Sequence, residues 1–268
     1  MLSVLAGPVA LALLGGPPCL AQRLGGGSFE GCTFEVVMVD DRPWKRLGAQ
    51  NMPYWVMSAL LNYAYASRFA YAFRLVRPIQ QGAPAYPGWN KVLYLRDRLE
   101  ELDGAFDAPG SRPGRRPCAW LLYLDADAFV RESDLALPAF LAGLARRYPL
   151  PAGAAVVLAR EANLSGSDAP APEAAFLNTG VVLLRAGTTA LRLLNAWLLA
   201  GQRVERRRLW TVWPGEQGIL SEMLLPGSYP AARGAAVLPR VPRRSFAAVN
   251  MTEMNSPWGR FVQHSWGK

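Results

Sequence analysis

Leu124-Asp125-Ala126-Asp127 closes the apolar run that begins at Trp120, so a greasy strand delivers two carboxylates at its C-terminal end. In an open α/β sheet, ligands bind along that edge. Strand alternation would put Asp125 and Asp127 on the same side. Carboxylates so close repel unless a cation neutralises them. A hard divalent cation with oxygen ligands does so and can in turn hold a diphosphate. The plainer alternative is an Asp cap on the next helix beside a solvated loop acid.

His264 is the only histidine in 268 residues and sits in Phe261-Val-Gln-His264-Ser-Trp-Gly-Lys268. Its imidazole would complete a metal site with Asp125 and Asp127, and Lys268 would meet a phosphate. The alternative is a structural histidine. In Phe176-Leu-Asn178-Thr-Gly180, polar residues enter a buried strand, and Gly180 permits close backbone approach. That pattern reads either as an amide recognising ligand hydroxyls or as a turn before a strand. Glu216-Gln217 opens a short helix after Pro214-Gly215. A Glu at a helix N-terminus is ordinary helix chemistry. Trp210 and Trp213 nearby offer aromatic faces on which a sugar ring can stack.

These residues need elements to hold them. Thr33 to Asp40 reads as a buried strand, 54–68 as a helix, 69–77 as a strand and 89–102 as an amphipathic helix with Leu93, Leu99 and Leu102 turned inward. The strand ending in Leu124 follows. Residues 133–148 read as a helix with Ser133 as its N-cap. Then come strands 154–160 and 176–187, a helix 188–201 stopped by Gly201, and a helix 214–225. Beyond it the chain reads as irregular, with short extended pieces at VLP, FAAV and FVQH. Strands alternate with helices, which makes the class α/β with a mostly parallel sheet.

Composition sets the outer bounds. Hydrophobic residues make up 51% of the chain, enough for a large core, and the net charge is +9. Such a balance favours an anionic partner. No dense basic helix and no basic run interleaved with aromatics is present, which argues against nucleic acid. Residues 1–21 read as a signal peptide or short targeting segment. Leu2 to Leu14 is apolar and uncharged, and Cys19 and Ala21 are small residues placed for cleavage after Ala21. The run is shorter than the ~20 residues a spanning helix needs. Asn163 and Asn250 head glycosylation sequons. Cys32 and Cys118 each precede a strand, and if those strands are parallel neighbours both thiols lie at the same sheet end. A disulfide and two buried thiols are both open.

Taken in order, the Lys91 helix, WLLYLDADAF, LNTGVVLLR, the Glu216-Gln217 helix and FVQHSWGK resemble the retaining galactosyl-, mannosyl- and xylosyltransferases of fungal and plant Golgi, nucleotide-sugar enzymes of the GT-A type. The set is similar, less closely, to arabinosyl-type nucleotide-diphospho-sugar transferases. The resemblance implies a GT-A-like Rossmann-type sandwich over residues 30–268, helices on both faces of the sheet, and location in the Golgi lumen. It implies that Asp125, Asp127 and His264 bind Mn²⁺ or another divalent cation, with Asp125 also meeting the nucleotide. Lys91 and Asn178 would contact the nucleotide and the donor sugar, and Gln217 with Glu216 would lie at the reacting sugar. The implied reaction moves a hexose or pentose from a UDP-sugar, or a GDP-sugar, to a hydroxyl of an oligosaccharide or glycoprotein. The family usually has a longer N-terminal anchor and stem, which leaves membrane attachment open. Competing readings are a glycan- or nucleotide-binding protein without turnover, and a glycoside hydrolase using two carboxylates.

Overall fold

Runs such as Phe34–Met38 and Trp120–Leu124 are apolar at successive positions, so both sheet faces of each strand must be covered. The computed structural model describes residue 29 and residues 31–42, 52–77, 87–106, 118–148, 150–151, 154–161, 176–202, 215–225 and 245–265. Among these residues the strands are β1 (Thr33–Val39), β2 (Ala72–Val76), β3 (Ala119–Leu124), β4 (Ala128–Val130), β5 (Val156–Glu161), β6 (Phe176–Arg185), β7 (Phe246–Asn250), β8 (Met254–Ser256) and β9 (Val262–His264). The helices are α1 (Tyr54–Arg68), α2 (Gly88–Phe106), α3 (Leu137–Arg147), α4 (Thr188–Gln202) and α5 (Gly215–Leu224).

Six strands form one sheet in the order β2-β1-β3-β6-β5-β7. Five run parallel to one another, and β6 is antiparallel to both of its neighbours. An apolar run carries no mark of strand direction, so the reversal of β6 is not legible in the sequence. The fold is the expected α/β class with a mostly parallel sheet.

The order of the first strands explains why both faces are covered. From β1 the chain crosses through α1 to β2 on one side, then returns through α2 to β3 on the other. Crossovers of parallel strands keep one hand, so α1 and α2 land on opposite faces. Side-chain alternation then splits the core in two. Val36, Met38, Leu122 and Leu124 pack with α1 and α3. Val37, Leu121 and Tyr123 pack with α2, α4 and α5. The reversal at β1 opens a crevice beyond the C-terminal ends of β1 and β3, where such sheets bind ligands.

A second sheet, β4-β9-β8, grows over that edge. Ala128 pairs with His264, and Val130 with Val262. The outer edge of β4 is closed by a side chain. Buried Asn62 of α1 donates Nδ2–H to the Ala128 carbonyl at 2.9 Å, and its Oδ1 accepts the Val130 N–H at 2.9 Å. One amide thus substitutes for a neighbouring strand.

Two local expectations need correction. The helix expected from Ser133 begins at Leu137, with Ala136 as its N-cap and no side-chain cap. Pro138 lies in the first turn, where its missing N–H costs nothing, and it therefore sets the start. Asp125 to Asp127 is a turn rather than an alternating strand, with the Ala128 N–H donating to the Asp125 carbonyl at 2.9 Å. The extended pieces expected at FAAV and FVQH are β7 and β9, and β8 between them had no counterpart in the sequence reading.

Cys32 and Cys118 form a disulfide, with Cα atoms 4.3 Å apart. They immediately precede β1 and β3, which are parallel neighbours with Thr33 opposite Ala119. No helix among the described residues is long and apolar enough to cross a membrane. The N-terminal segment 1–21, Asn163, Trp210, Trp213 and Lys268 lie outside the described residues.

Candidate active site

Asp125 leaves β3 where its strand partner β6 carries Gly180, and the Asp125 N–H donates to the Gly180 carbonyl at 2.7 Å. The turn that follows swings Asp127 back toward the same space. His264 arrives on β9, because Ala128 and His264 are paired and the Ser265 N–H donates to the Asp127 carbonyl at 3.0 Å. One ligand atom from each of Asp125, Asp127 and His264 lies within 4.8 Å of the others. His264 Nε2 is 2.9 Å from Asp127 Oδ1 and 3.9 Å from Asp125 Oδ2. Residues 137 apart in the chain thus meet across a sheet edge.

Gly180 makes this convergence possible. A Cβ there would overlap the His264 ring, lying 2.7 Å from Nδ1, and would come within 2.9 Å of Asp125 Oδ2. Glycine is required for space, since its backbone is that of an ordinary strand residue.

A buried cation supports the carboxylates. Lys91 is 4% exposed. Its Nζ lies 3.2 Å from Asp125 Oδ1 and 3.0 Å from Glu216 Oε1, and it donates to the Thr179 carbonyl at 3.1 Å. Burial, the largest influence, works against the charge, but Asp125 and Glu216 together raise the ammonium pKa above its ordinary value. Tyr123 donates its hydroxyl to Asp125 Oδ1 at 2.5 Å. Burial and then Asp125 hold that phenol well above the usual tyrosine range.

Glu216 and Gln217 join the same network through Thr179. The Thr179 hydroxyl lies 3.2 Å from Glu216 Oε1 and from Gln217 Oε1, and the Thr179 N–H donates to Gln217 Oε1 at 3.1 Å. Trp197 Nε1 donates to the Glu216 carbonyl at 2.7 Å and fixes the start of α5. Glu216 Oε2 is buried and has no hydrogen-bond partner among the described residues. The Asn178 oxygen accepts the Gly180 N–H at 2.7 Å and the Asn255 amide at 2.5 Å.

Beside these groups lies a cleft of about 270 Å³, lined among others by Asp40, Arg42, Tyr54, Asn90, Lys91, Asp125 and Asp127. At its far wall Arg42 donates to Asp40 Oδ1 at 2.8 Å and to the Tyr54 hydroxyl at 2.6 Å, with its guanidinium 4.5 Å from the Trp55 ring centroid.

Two carboxylates and an imidazole are a donor set that suits a divalent cation. Lys91 is shared by Asp125 and Glu216, while Asp127 and His264 stand beside Asp125, so two carboxylates and an imidazole converge at one point where a divalent ion would be held. The separations allow one ion to touch all three ligands. The residues fit.

Of the residues singled out from sequence, the structure brings together Asp125, Asp127, His264, Lys91, Asn178, Glu216 and Gln217. Gly180 allows the close approach expected of it, whereas Tyr123, Asn62 and Asn255 were not anticipated. Tyr123 was recoverable, since alternation places it on the same side as Asp125. Asn255 had no local signal.

No protein-family model matches the sequence, and no curated protein matches it. Among solved structures, the chain is similar to a glycosyltransferase involved in the glycosylation of the major capsid of PBCV-1, at 16% identity and a TM-score of 0.50, covering 88% of this chain and 96% of that one. It also aligns with mouse xyloside xylosyltransferase 1 in its apo form, at 13% identity and a TM-score of 0.37, over 88% of this chain and 98% of that one, a likeness too low to argue from. What the first comparison shows is the fold: this chain is a mixed α/β sandwich of the GT-A-like type.

Proposed function

We propose that this protein is a metal-dependent glycosyltransferase. It moves a hexose or pentose from a nucleoside diphosphate sugar, a UDP-sugar before a GDP-sugar, to a hydroxyl of an oligosaccharide or glycoprotein. The observation that carries this reading is the convergence of Asp125, Asp127 and His264 within 4.8 Å beside the crevice at the ends of β1 and β3.

Asp125, Asp127 and His264 would hold Mn²⁺ or a similar ion, and when bound it supplies Lewis-acid neutralisation of charge on a departing diphosphate. Lys91 adds fixed positive charge at the cleft floor, and its two carboxylate partners hold it in place. Lys268 is proposed to add a second cation. Gln217, positioned by Thr179, and Asn178 are proposed to hold the donor sugar. Glu216 Oε1 is shared between Lys91 and the Thr179 hydroxyl, which weakens it as a nucleophile. That supports same-face attack by the acceptor, with retention and without a covalent intermediate.

We further assign residues 30–268 to one catalytic domain, residues 1–21 to targeting, and the protein to the secretory pathway, in the Golgi lumen. The Cys32–Cys118 disulfide supports an oxidising compartment, as does the exposed sequon residue Asn250.

The test is sugar release and transfer across a panel of nucleotide sugars, with Mn²⁺ and with chelator. Mn²⁺-dependent turnover of at least one donor is expected, lost in Asp127→Asn. Metal-independent release of sugar from glycans would indicate a hydrolase instead. Nucleotide binding without turnover of any donor would indicate a binding protein.

A further inference from the structure

We infer that Asn255 is a positioning residue that fixes His264 as its Nδ1–H tautomer and so turns the Nε2 lone pair onto Asp125 and Asp127.

The assignment follows from one backbone group. The Gly180 N–H can only donate, and it points at the Asn178 side chain at 2.7 Å. The atom it meets must therefore be the Asn178 oxygen. That oxygen also receives Asn255 at 2.5 Å, so Asn255 must present its NH₂ there. The other end of the same amide, Asn255 Oδ1, then faces His264 Nδ1, with which it hydrogen-bonds. An oxygen acceptor at that point requires a proton on Nδ1. In the neutral ring Nε2 is then bare, and it faces Asp127 Oδ1 at 2.9 Å and Asp125 Oδ2 at 3.9 Å. A lone pair against two carboxylates is unfavourable unless a cation lies between them or the ring takes a second proton. The arrangement is that of a ligand aimed at a metal, and the consequence for metal binding rests on the proposed metal site.

The backbone is shaped for this contact. The β8–β9 register shifts between Met254 and Ser256, and the residue between them, Asn255, has φ 82° and is fully buried. Bulges of this kind redirect a side chain next to a site. Asparagine is among the few residues besides glycine that tolerate this conformation. A strand bulge, a left-handed residue and an amide engaged at both ends all serve one ring nitrogen.

Because His264 is the only histidine, a long-range ¹H–¹⁵N spectrum of ¹⁵N-labelled protein, purified without a histidine tag and stripped by chelator, reports one imidazole. On its alkaline plateau the wild type is expected to show the Nδ1–H pattern. Asn255→Gly, which keeps the left-handed backbone, is expected to lose that pattern and to bind Mn²⁺ roughly 10- to 100-fold more weakly by calorimetry. An Nε2–H pattern in the wild type would overturn the assignment. So would an Asn255→Gly protein with both the Nδ1–H pattern and wild-type Mn²⁺ affinity. Failure of the wild type to bind Mn²⁺ would sink the metal reading, while the metal-free spectra would still decide the role of Asn255.

Discussion

Replacing Lys91 with Met should destabilise the fold by an amount that its neighbours set. The side chains of Lys91 and Glu216 are each 5% exposed and lie 3.0 Å apart. At an effective dielectric of ~20, one such pair is worth about 5–6 kcal/mol of gross attraction. The desolvation of both ions offsets most of that, so the net value of the pair is small. Removing one partner is different, because the Glu216 carboxylate stays buried without a counter-charge, at a cost of about 3–5 kcal/mol. For a chain of this length that is a fall of roughly 6–10 °C in melting temperature, at about 2 °C per kcal/mol. The double variant Lys91→Met/Glu216→Gln removes the stranded charge, keeps an oxygen for the Thr179 hydroxyl, and should regain most of the loss. Asp125, whose side chain is 30% exposed, tolerates loss of the lysine better than Glu216 does. The assay is a thermal melt in chelator, with the two single variants and the double variant closing a cycle. The reasoning fails if Lys91→Met melts within a degree or two of wild type, or if the double variant is no more stable than Lys91→Met.

Gly180→Ala should cost about 1–3 kcal/mol by overpacking and weaken Mn²⁺ binding at least tenfold, because the new methyl group overlaps the His264 ring; calorimetry and a melt report both. Reduction of the unfolded protein should add the mass of two hydrogens, and the Cys32→Ser/Cys118→Ser variant should lose roughly 4–5 kcal/mol by the chain-entropy model, given a separation of 86 residues, as read from denaturant midpoints. Burial pushes the Tyr71 phenol up to about 12, above its unfolded value near 10. Its contribution is therefore fully present below pH 10 and is lost as pH rises toward 12, so denaturant midpoints should fall more steeply over that window in wild type than in Tyr71→Phe.

The parts of this molecule that were legible in the sequence are those with a local signature. The two-faced apolar runs of β1 and β3 gave a buried parallel pair, and the aspartates after Leu124 marked the sheet edge at which the cleft lies. From that placement the shared end of Cys32 and Cys118 could be reasoned as well. Where the sequence reading failed, a non-local contact decided the outcome. Asp125 and Asp127 share a side because β4 turns back to pair with β9, not because a strand continues through Ala126. β6 is reversed although Val181 to Leu184 would serve a strand of either direction. Asn255 lies 77 residues from Asn178, its partner across the sheet edge. Nothing around Met254-Asn255-Ser256 indicates a bulge.

His264 shows how far such contacts govern the site. Asp125 and Asp127 are placed by β3 and its turn, which belong to the large sheet. The imidazole is placed by β9, whose register against Ala128 is fixed on one side by β8 and on the other by β4, itself held by Asn62. The segment leading to β8 and β9 is in turn held by Arg147, which forms two charge-assisted hydrogen bonds to Glu253 at 2.8 and 2.7 Å. The site therefore closes only when the late strands dock across the carboxylates, a step whose loop-closure cost is borne by long-range contacts. A single histidine suffices because every neighbour that fixes its place is itself pinned: Gly180 gives the ring room, Asn255 fixes its proton, and the β4–β9 ladder fixes its height above the aspartates.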